Sequence, residues 1–249
     1  MSLIIAGERS GVGKTTVTLA LLAALCRRSA KVQSFKVGPD YIDPMFHKYV
    51  TGRPCRNLDA VITSPAYVQQ CFTRHTQECE YALVEGVMGL FDGVGQSSVV
   101  DSECLNQIDK IDFGSTAHVA RLLDIPVVLV IDCSRLSGSV AAIAQGYSSF
   151  DPRVKIAGVV LNRVGSDRHL SLLENALKSL QLPILGVLRR QENITIRDRH
   201  LGLVPIGELP ELDIVIQQLA DLGDTCFNWE LLLPLLKSTP SPLPPAPCP

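Results

Sequence analysis

The residues with the clearest chemistry lie near the N-terminus, in the stretch LIIAGERSGVGKTT. Gly11 and Gly13 allow turns that a Cβ would obstruct, so the backbone N–H groups of the loop can face one anion at the positive end of the next helix. Lys14 stands where it would reach β- and γ-phosphates, and the hydroxyl of Thr15 suits Mg²⁺. The stretch therefore predicts a site for ATP with Mg²⁺. The predicted nucleotide-binding residues are Gly7, Ser10, Gly11, Val12, Gly13, Lys14, Thr15, Thr16 and Asn162.

The loop is one residue longer than the usual pattern G-x-x-x-x-G-K-[ST]. That pattern would place its first glycine at Glu8, whereas the glycine here is Gly7. The apolar residues Leu3–Ile5 before the loop form a strand pattern, and Val17–Leu25 after it form a helical pattern. Because the motif requires this context, a nucleotide site is favoured over a chance glycine turn before a helix.

The elements that would position this loop alternate between short apolar strands and helices. The predicted strands are Leu3–Ile5, Lys31–Val37, Tyr81–Val84, Val127–Ile131, Ile156–Leu161 and Ile184–Val187. The predicted helices are Val17–Leu25, Met45–Tyr49, Thr116–Leu123, Val140–Tyr147, His169–Leu180, Leu212–Leu222 and Phe227–Leu236. Such alternation is typical of a mainly parallel sheet with helices on both faces. We expect an α/β fold of the P-loop NTPase type, with ligands at the carboxyl ends of the strands.

Charged residues at the ends of these strands are the candidates for chemistry. Glu85 follows an apolar run and is the leading candidate to hold Mg²⁺, although a solvated glutamate in a turn would look the same. Asp40 is preferred as a second ligand over Asp43, which can equally cap the segment before Pro44. Lys36 carries the kind of charge that neutralises a transferring phosphoryl group, although a lysine at a strand end is more often simply solvated.

Two further polar residues give weaker signals. His47 lies in a helix-like run, and a lone histidine there is a structural or substrate-contacting group before it is a catalyst. Asn162 follows a predicted strand and, by analogy with other P-loop folds, would hydrogen-bond the nucleotide base. The predicted metal ligands are therefore Thr15, Asp40 and Glu85.

Length, charge and hydropathy limit the classes of function. The chain has 249 residues and a formal net charge of −2 at pH 7, which gives no reason to expect a nucleic acid partner. The longest apolar run, Ile125–Ile131, is far shorter than a membrane span, and the N-terminus lacks a signal-peptide pattern. The eight cysteines are scattered without a C-x-x-C pair. We expect a cytoplasmic protein with reduced thiols and no membrane partner.

Two segments depart from the alternating pattern. Residues 93–112 have few sustained apolar patterns and predict a loop, either a lid or ordinary surface variation. Residues 238–249, STPSPLPPAPCP, are too rich in proline for a helix or a sheet interior. We expect residues 1–237 to form one domain and residues 238–249 to begin a linker to a further domain.

Together the motifs resemble one family, the cobyrinic acid a,c-diamide synthases of corrinoid biosynthesis. The resemblance covers nearly the whole chain before the linker, and KVGPDYIDP and EGVMGLFDG are its most specific parts. Dethiobiotin synthetase is similar in its lengthened glycine loop, its strand-end lysine and its Glu-Gly turn. The residues that carry the resemblance are AGERSGVGKTT, FKVGPDYIDPMFH, NLD, VEGVMGLFDG, GSTAHVARLLDIPVVLVID, GVVLNRVGSDRH and RHLGLVP.

The resemblance implies ATP-dependent amidation of the a and c acetate groups of a corrin-type ring, cobyrinic or hydrogenobyrinic acid. A carboxylate attacks the γ-phosphate, and ammonia then displaces phosphate from the acyl phosphate. The implied catalytic residues are Lys14, Lys36, Asp40, Glu85 and Asp92, of which Asp92 enters only through the resemblance. The implied substrate contacts are Tyr41, Ile42, Asp43 and His47.

Two departures from the family pattern matter. Its members carry a C-terminal class I glutamine amidotransferase domain that makes ammonia, and this chain ends where that domain should begin. We therefore expect no Cys/His/Glu constellation for glutamine hydrolysis within residues 1–249, and use of free ammonia in place of glutamine. Secondly, Glu8 and Arg9 stand where small polar residues are commoner, so either is a candidate contact to phosphate or to a neighbouring chain.

Two other readings stay open. A related diamide synthase could act on another tetrapyrrole, such as a nickel sirohydrochlorin. A switch of the partitioning-ATPase type has a similar loop, with a lysine usual at the position of Arg9, but KVGPDYIDP and EGVMGLFDG argue against it. A homodimer is compatible with either enzyme or switch.

Overall fold

The computed structural model describes residues 2–95, 108, 111–190 and 212–236. Within them, seven strands form one sheet in which every pair of neighbouring strands is parallel. The order across the sheet is β3-β2-β4-β1-β5-β6-β7. The strands are β1 (Leu3–Gly7), β2 (Val32–Val37), β3 (Arg56–Leu58), β4 (Tyr81–Glu85), β5 (Val127–Asp132), β6 (Ile156–Val164) and β7 (Ile184–Arg189).

Helices cover both faces of this sheet, as expected for an α/β fold. A short 3₁₀ turn, Lys178–Leu180, follows one of them. The described helices are α1 (Lys14–Arg27), α2 (Asp43–Thr51), α3 (Pro65–Thr76), α4 (Thr116–Leu123), α5 (Ser139–Phe150), α6 (Asp167–Leu177), α7 (Leu212–Cys226) and α8 (Trp229–Leu236).

Alternation of side chains along β1 divides the core between the two faces. Leu3 and Ile5 pack into a cluster with α1, α7 and α8, whereas Ile4 and Ala6 pack into a cluster with α3 and α4. All four side chains are fully buried. A strand that is apolar on both faces belongs at the centre of a parallel sheet, which is where β1 lies.

The register of the strands brings the predicted polar residues to one edge. Lys36 on β2 lies opposite Glu85 on β4, and Asp132 on β5 lies opposite Asn162 on β6. The phosphate loop leaves β1 between these two pairs. The expectation of a P-loop type α/β fold with its polar strand ends on one edge is confirmed.

Two elements were not predicted. β3 has only three residues and begins with the exposed Arg56, so it has no apolar run to reveal it. α3 begins at Pro65 after the cap Ser64, whose hydroxyl accepts a hydrogen bond from the N–H of Tyr67. Ser-Pro at this point was an available start signal.

Several expectations concern residues outside the described ranges. They are most of the loop or lid expected at residues 93–112, the motif RHLGLVP at residues 199–205, and the proline-rich linker at residues 238–249. Among the described helices, none is both long and apolar enough to cross a membrane.

Candidate active site

The loop between β1 and α1 has the backbone geometry that an anion cradle requires. Gly11 and Gly13 have φ of 78° and 98°, in the left-handed region where glycine is strongly favoured. Gly13 is also the residue before the first turn of α1, and no side chain caps that helix end. The N–H groups at the positive end of α1 are therefore left to a ligand rather than to a capping side chain.

Lys14 lies across the mouth of this loop. Its Nζ donates to the carbonyl of Met88 at 2.5 Å and to the carbonyl of Arg9 at 3.1 Å. Burial, together with the nearby charge of Lys36, lowers the pKa of Lys14 to about 8. A polyphosphate beside Lys14 would offset this loss of solvation and favour the charged form.

A buried ion pair joins β2 to β4 beside the loop. Lys36 Nζ lies 2.9 Å from Glu85 Oε1 and 2.6 Å from Asp43 Oδ2. The hydroxyl of Thr15 donates to the same Glu85 oxygen at 2.6 Å, and it lies 3.5 Å from Asp43 Oδ2. The structure therefore brings together four of the predicted site residues from four separate segments.

The charges in this cluster are strongly shifted by burial and by one another. Burial opposes the charged form of Glu85, but Lys36 and His47 outweigh it and hold its pKa well below the ordinary value. Burial likewise opposes the charge of Lys36, yet Glu85 and Asp43 raise its pKa above the ordinary value. For Asp43, burial and the charge of Glu85 raise the pKa to about 7. Lys36 and Glu85 thus form a charged pair, with Asp43 the more easily protonated carboxyl.

The donor set of this cluster fits Mg²⁺. One hydroxyl, from Thr15, and two carboxylates, from Glu85 and Asp43, converge beside the phosphate loop. In the described part of the chain, no group of three or more His, Cys, Asp or Glu side chains forms an all-protein metal site. Magnesium typically takes one or two carboxylates and completes its shell with phosphate and water, so these residues suffice.

Asp40 has a different role in the structure from the one expected. Its Oδ1 accepts hydrogen bonds from the N–H groups of Ile42 and Asp43, at 2.8 and 3.2 Å. Its Oδ2 lies 3.7 Å from Lys36 Nζ. Asp40 therefore shapes the turn that presents Asp43, and Asp43 is the carboxylate closer to Thr15. The other residues of this turn differ in exposure, since Ile42 packs on the core and Tyr41 is 69% exposed.

His47 does not reach the surface, contrary to its prediction as a substrate contact. Its side chain is fully buried, and Nε2 lies 2.7 Å from Glu85 Oε2. On the other side, Nδ1 lies 3.4 Å from the sulfur of the half-buried Cys55. His47 thus contacts the oxygen of Glu85 that Thr15 and Lys36 leave unbonded. The imidazole of His47 lies between the thiol of Cys55 and the carboxylate of Glu85.

Asp92 lies in a turn that packs against the phosphate loop. Its Oδ2 accepts a hydrogen bond from the N–H of Gly89 at 2.8 Å, and the side chain is exposed. The N–H of Leu90 donates to the carbonyl of Gly7 at 2.8 Å, which ties the turn to the end of β1. Asp92 therefore lies exposed in a turn beside the end of β1, where the phosphate loop begins.

Asn162 braces the loop, whereas the sequence predicted a contact to the base. Its Nδ2 donates to the carbonyl of Val12 at 2.7 Å, and its Oδ1 accepts from the N–H of Arg163 at 2.9 Å. Both ends of the amide are therefore engaged by protein. Of the remaining loop residues, Ser10 is exposed and Thr16 is half-buried at the start of α1.

Comparison with known proteins identifies the family to which this loop and sheet belong. Residues 3–203 match the model of the CobQ/CobB/MinD/ParA nucleotide binding domain. The chain belongs to this family. The match covers every residue of the cluster around Lys36 and Glu85. The cluster therefore belongs to a nucleotide binding domain.

Proteins with similar sequences carry more specific names. The chain is 62% identical over 239 residues to a cobyrinate a,c-diamide synthase of a Synechococcus strain, covering 96% of this chain and 50% of that protein. It is 46% identical over 239 residues to a hydrogenobyrinate a,c-diamide synthase of Streptomyces coelicolor, covering 95% of this chain and 46% of that protein. The resemblance inferred from the motifs is confirmed. The chain spans about half the length of these curated relatives.

Solved structures support the fold alone. The chloroplast FtsY of Physcomitrella patens aligns with a TM-score of 0.51 at 18% identity, over 75% of this chain and 57% of that one. FlhF complexed with GMPPNP and Mg²⁺ aligns with a TM-score of 0.50 at 17% identity, over 76% of this chain and 65% of that one.

A second charged cluster flanks the loop of this CobQ/CobB/MinD/ParA domain, and sequence reasoning did not assemble it. Asp132 Oδ2 accepts from Arg163 at 2.5 Å and from Arg9 at 3.2 Å, while Glu8 pairs with Arg9. The hydroxyl of Tyr147 donates to the carbonyl of Glu8 at 2.6 Å. The strand-end positions of Asp132 and Arg163 were available signals, but Tyr147 lies inside a helix and gives none.

Proposed function

We propose that the chain catalyses ATP-dependent amidation of the a and c acetate carboxylates of a corrin-type tetrapyrrole, cobyrinate or hydrogenobyrinate. The observation that carries this proposal is the buried Lys36–Glu85 pair beside the phosphate loop, in a chain 62% identical over 239 residues to a cobyrinate a,c-diamide synthase. Lys36, together with the carboxylates of Glu85 and Asp43, suits phosphoryl transfer to an anionic acceptor.

The chemistry demands little proton transfer from the protein. A substrate carboxylate oxygen attacks the γ-phosphorus of ATP, the bond to ADP breaks, and an acyl phosphate forms. Ammonia then attacks the acyl carbon, phosphate leaves, and the nitrogen loses a proton to solvent. Because the nucleophile is already an anion, the site must chiefly offset repulsion between carboxylate and triphosphate.

The residues beside the loop fit this requirement. Lys14 and Lys36 supply two positive charges, of which Lys36 is held by Glu85 on the adjacent strand. Thr15, Glu85 and Asp43 would hold Mg²⁺, which supplies further positive charge to the β- and γ-phosphates when bound. Asp92 and the exposed Tyr41 lie at the entrance and are the proposed substrate contacts, together with the turn at Asp40.

The test is mass spectrometry of the product formed from ATP, ammonia and cobyrinate. We expect a diamide with the wild-type chain, and neither product nor ATP turnover with Lys14→Ala or Glu85→Ala. Lys178→Ala and Glu174→Ala are matched controls, since both side chains belong to the region of α6 and its 3₁₀ turn, away from the loop. Product from either site variant would require another assignment of the site.

The same assay separates the alternatives. Amidation of a nickel sirohydrochlorin but not of cobyrinate would keep the reaction and change the substrate. ATP turnover that does not respond to any tetrapyrrole with ammonia would favour a partitioning-type switch. Ammonia as nitrogen source makes each outcome independent of a glutaminase.

The proposal extends to partners and location. The partners are the corrinoid substrate and a glutaminase domain as a source of ammonia, and a homodimer is tested by light scattering with and without ATP. We propose the cytoplasm as the location, because the reaction consumes ATP.

A further inference from the structure

A cavity of about 580 Å³ lies beside the phosphate loop, on the side of β5 and α5. One wall is the loop itself, through Glu8 and Arg9, and another is α5, through Ile143 and Tyr147. The segment after β5 lines a further side of the cavity, with Arg135 among its residues. The cavity thus combines a partly apolar wall with charged groups, as binding sites for small molecules commonly do.

Both carboxylates that line this cavity are already paired with arginines. Asp132 is 4% exposed and pairs with both Arg9 and Arg163, while Glu8 is 9% exposed and pairs with Arg9. Two carboxylates therefore hold two guanidinium groups. Arg135 is exposed, and among the residues that the structure describes it has no hydrogen bond or ion pair. One guanidinium at the rim is left to a ligand.

The chemistry of that ligand follows from the guanidinium. Arginine presents a planar fork of N–H donors that matches a carboxylate or a phosphate, and such charge-assisted pairs are stronger than neutral hydrogen bonds. The phosphates of ATP already have a cradle at Gly11, Gly13 and Lys14. A carboxylate is therefore the anion that this second cavity suits.

Contacts tie the cavity to the place of reaction. The carbonyl of Arg9 accepts a hydrogen bond from Lys14 Nζ at 3.1 Å, so one residue borders both the cavity and the phosphate loop. The ring of Tyr147 stacks on Phe91, which precedes Asp92 in the turn at the entrance. A large ligand bound near Asp92 would therefore extend into this cavity.

We propose that the cavity binds a carboxylate side chain of the tetrapyrrole that does not itself react, with Arg135 as its charged partner. This inference rests on the proposed function, since it assigns a subsite for the same substrate. A corrin-type ring carries several carboxylates around its rim, so one can lie at Gly7–Lys14 while another lies at Arg135. The subsite would fix which carboxylates face the phosphate.

The experiment compares Arg135→Gln with the wild-type chain in steady-state amidation of cobyrinate with ammonia. We expect the KM for the tetrapyrrole to rise about three- to tenfold, because one charge-assisted contact is lost. The KM for ATP and kcat should each change by less than about twofold. Arg135→Glu should raise the tetrapyrrole KM further, since it adds repulsion.

The matched control is Arg74→Gln, which removes the same charge from an exposed side chain on α3. The C-terminal end of α3 leads into the start of β4, whereas the phosphate loop follows the end of β1. Arg74→Gln should leave all three kinetic constants unchanged. An unchanged tetrapyrrole KM in Arg135→Gln, or an equal rise in Arg74→Gln, would overturn the subsite.

Direct binding separates this inference from the proposed reaction. Equilibrium dialysis of cobyrinate and of its fully methyl-esterified form should show tighter binding of the acid, and a smaller difference between the two in Arg135→Gln. Binding that depends on Arg135 in a chain that forms no amide would remove the reaction and retain the subsite. A wild-type chain that binds neither compound would overturn both.

Discussion

At the scale of single residues, the site is organised around one oxygen of Glu85. That oxygen accepts hydrogen bonds from Thr15 and Lys36, and the second oxygen of the same carboxylate faces His47. A fully buried carboxylate is costly to charge unless it is paired and hydrogen-bonded. Here a lysine, a histidine and a hydroxyl together meet that requirement, which explains why the carboxylate is ionised at the centre of the sheet edge.

The two aspartates of the GPDYIDP turn should differ in their effect on metal use. Asp43 lies beside Thr15 and Lys36, whereas Asp40 caps the turn through backbone N–H groups that an asparagine oxygen could equally satisfy. We expect Asp43→Asn to raise the Mg²⁺ concentration for half-maximal ATP turnover about tenfold, on the scale of a lost charged ligand contact. Asp40→Asn should change it by less than about threefold. A larger shift in Asp40→Asn would restore Asp40 as the ligand.

His47 should act through Glu85 and not through the substrate. His47→Ala leaves one oxygen of the buried Glu85 without its partner, so we expect a loss of about 2–4 kcal/mol in the free energy of unfolding. Misplacement of Glu85 should also lower kcat about tenfold or more, with little change in the KM of the tetrapyrrole.

Urea unfolding and steady-state kinetics measure the two effects of His47→Ala. His47→Gln is the matched variant, since its amide can donate to Glu85, and it should recover part of both losses. A rise in tetrapyrrole KM without loss of stability would make His47 a substrate contact after all.

At the scale of elements, the strands were predictable because burial on both faces leaves a nearly continuous apolar run. β5 was expected as Val127–Ile131 and is Val127–Asp132, and α4 was expected and found at Thr116–Leu123. β3 was not predictable in this way, because a three-residue edge strand has too few apolar residues to form a pattern. Its place is fixed by pairing with β2, which is a tertiary contact.

The sequence also predicted which residues lie in the site, but not how their side chains are directed. The sequence placed Lys36, Glu85 and Asn162 at strand ends, and a parallel sheet necessarily brings such ends to one edge. The direction of each side chain could not be predicted. Asp40 points to backbone N–H groups and His47 points inward because of contacts between segments distant in the chain.

A buried network of ion pairs connects α4 to the segment after α5 on one face of the sheet. Arg121 on α4 bonds to Asp112 at 2.7 and 2.8 Å and to Asp151 after α5 at 3.0 Å. Asp112 is 2% and Asp151 is 1% exposed. We expect Arg121→Met to cost about 3–5 kcal/mol at pH 7, because it leaves buried carboxylates without their shared partner.

The pH dependence of this network has a definite sign. A hydrogen bond from Arg153 is the main cause that holds the pKa of Asp151 below its ordinary value. Its contribution to stability is therefore present above the unfolded pKa and is lost as the pH falls through the folded one. The difference in unfolding free energy between wild type and Arg121→Met should therefore persist from pH 7 down to about pH 4 and shrink below it. Arg153→Met, at a side chain 42% exposed, should cost less at pH 7.

At the scale of the whole molecule, the strand order makes one surface from residues that are far apart in the chain. β1 lies between β4 and β5, so the phosphate loop has the pair Lys36 and Glu85 on one side and the cluster around Asp132 on the other. The first side suits phosphoryl transfer and the second suits recognition of an anion. In the proposed function, reaction and substrate recognition therefore lie on two sides of the phosphate loop, at the sheet edge where open α/β sheets bind their ligands.

The source of nitrogen is the last property that belongs to the whole molecule. We expect the polypeptide of 249 residues to form amide with ammonia but not with glutamine, because the His47 and Glu85 side chains nearest Cys55 are fully buried. The contact of Cys55 with His47 sharpens this prediction, because a thiol, an imidazole and a carboxylate are groups that can hydrolyse glutamine. Here, however, His47 and Glu85 are both fully buried, and Glu85 is bonded to Lys36 and Thr15, so neither can reach a glutamine held at Cys55. Parallel assays with ammonia and glutamine, on wild type and Cys55→Ala, should show equal ammonia-driven rates in both chains and none with glutamine. A glutamine-driven rate in wild type that disappears in Cys55→Ala would instead make this cluster a glutaminase.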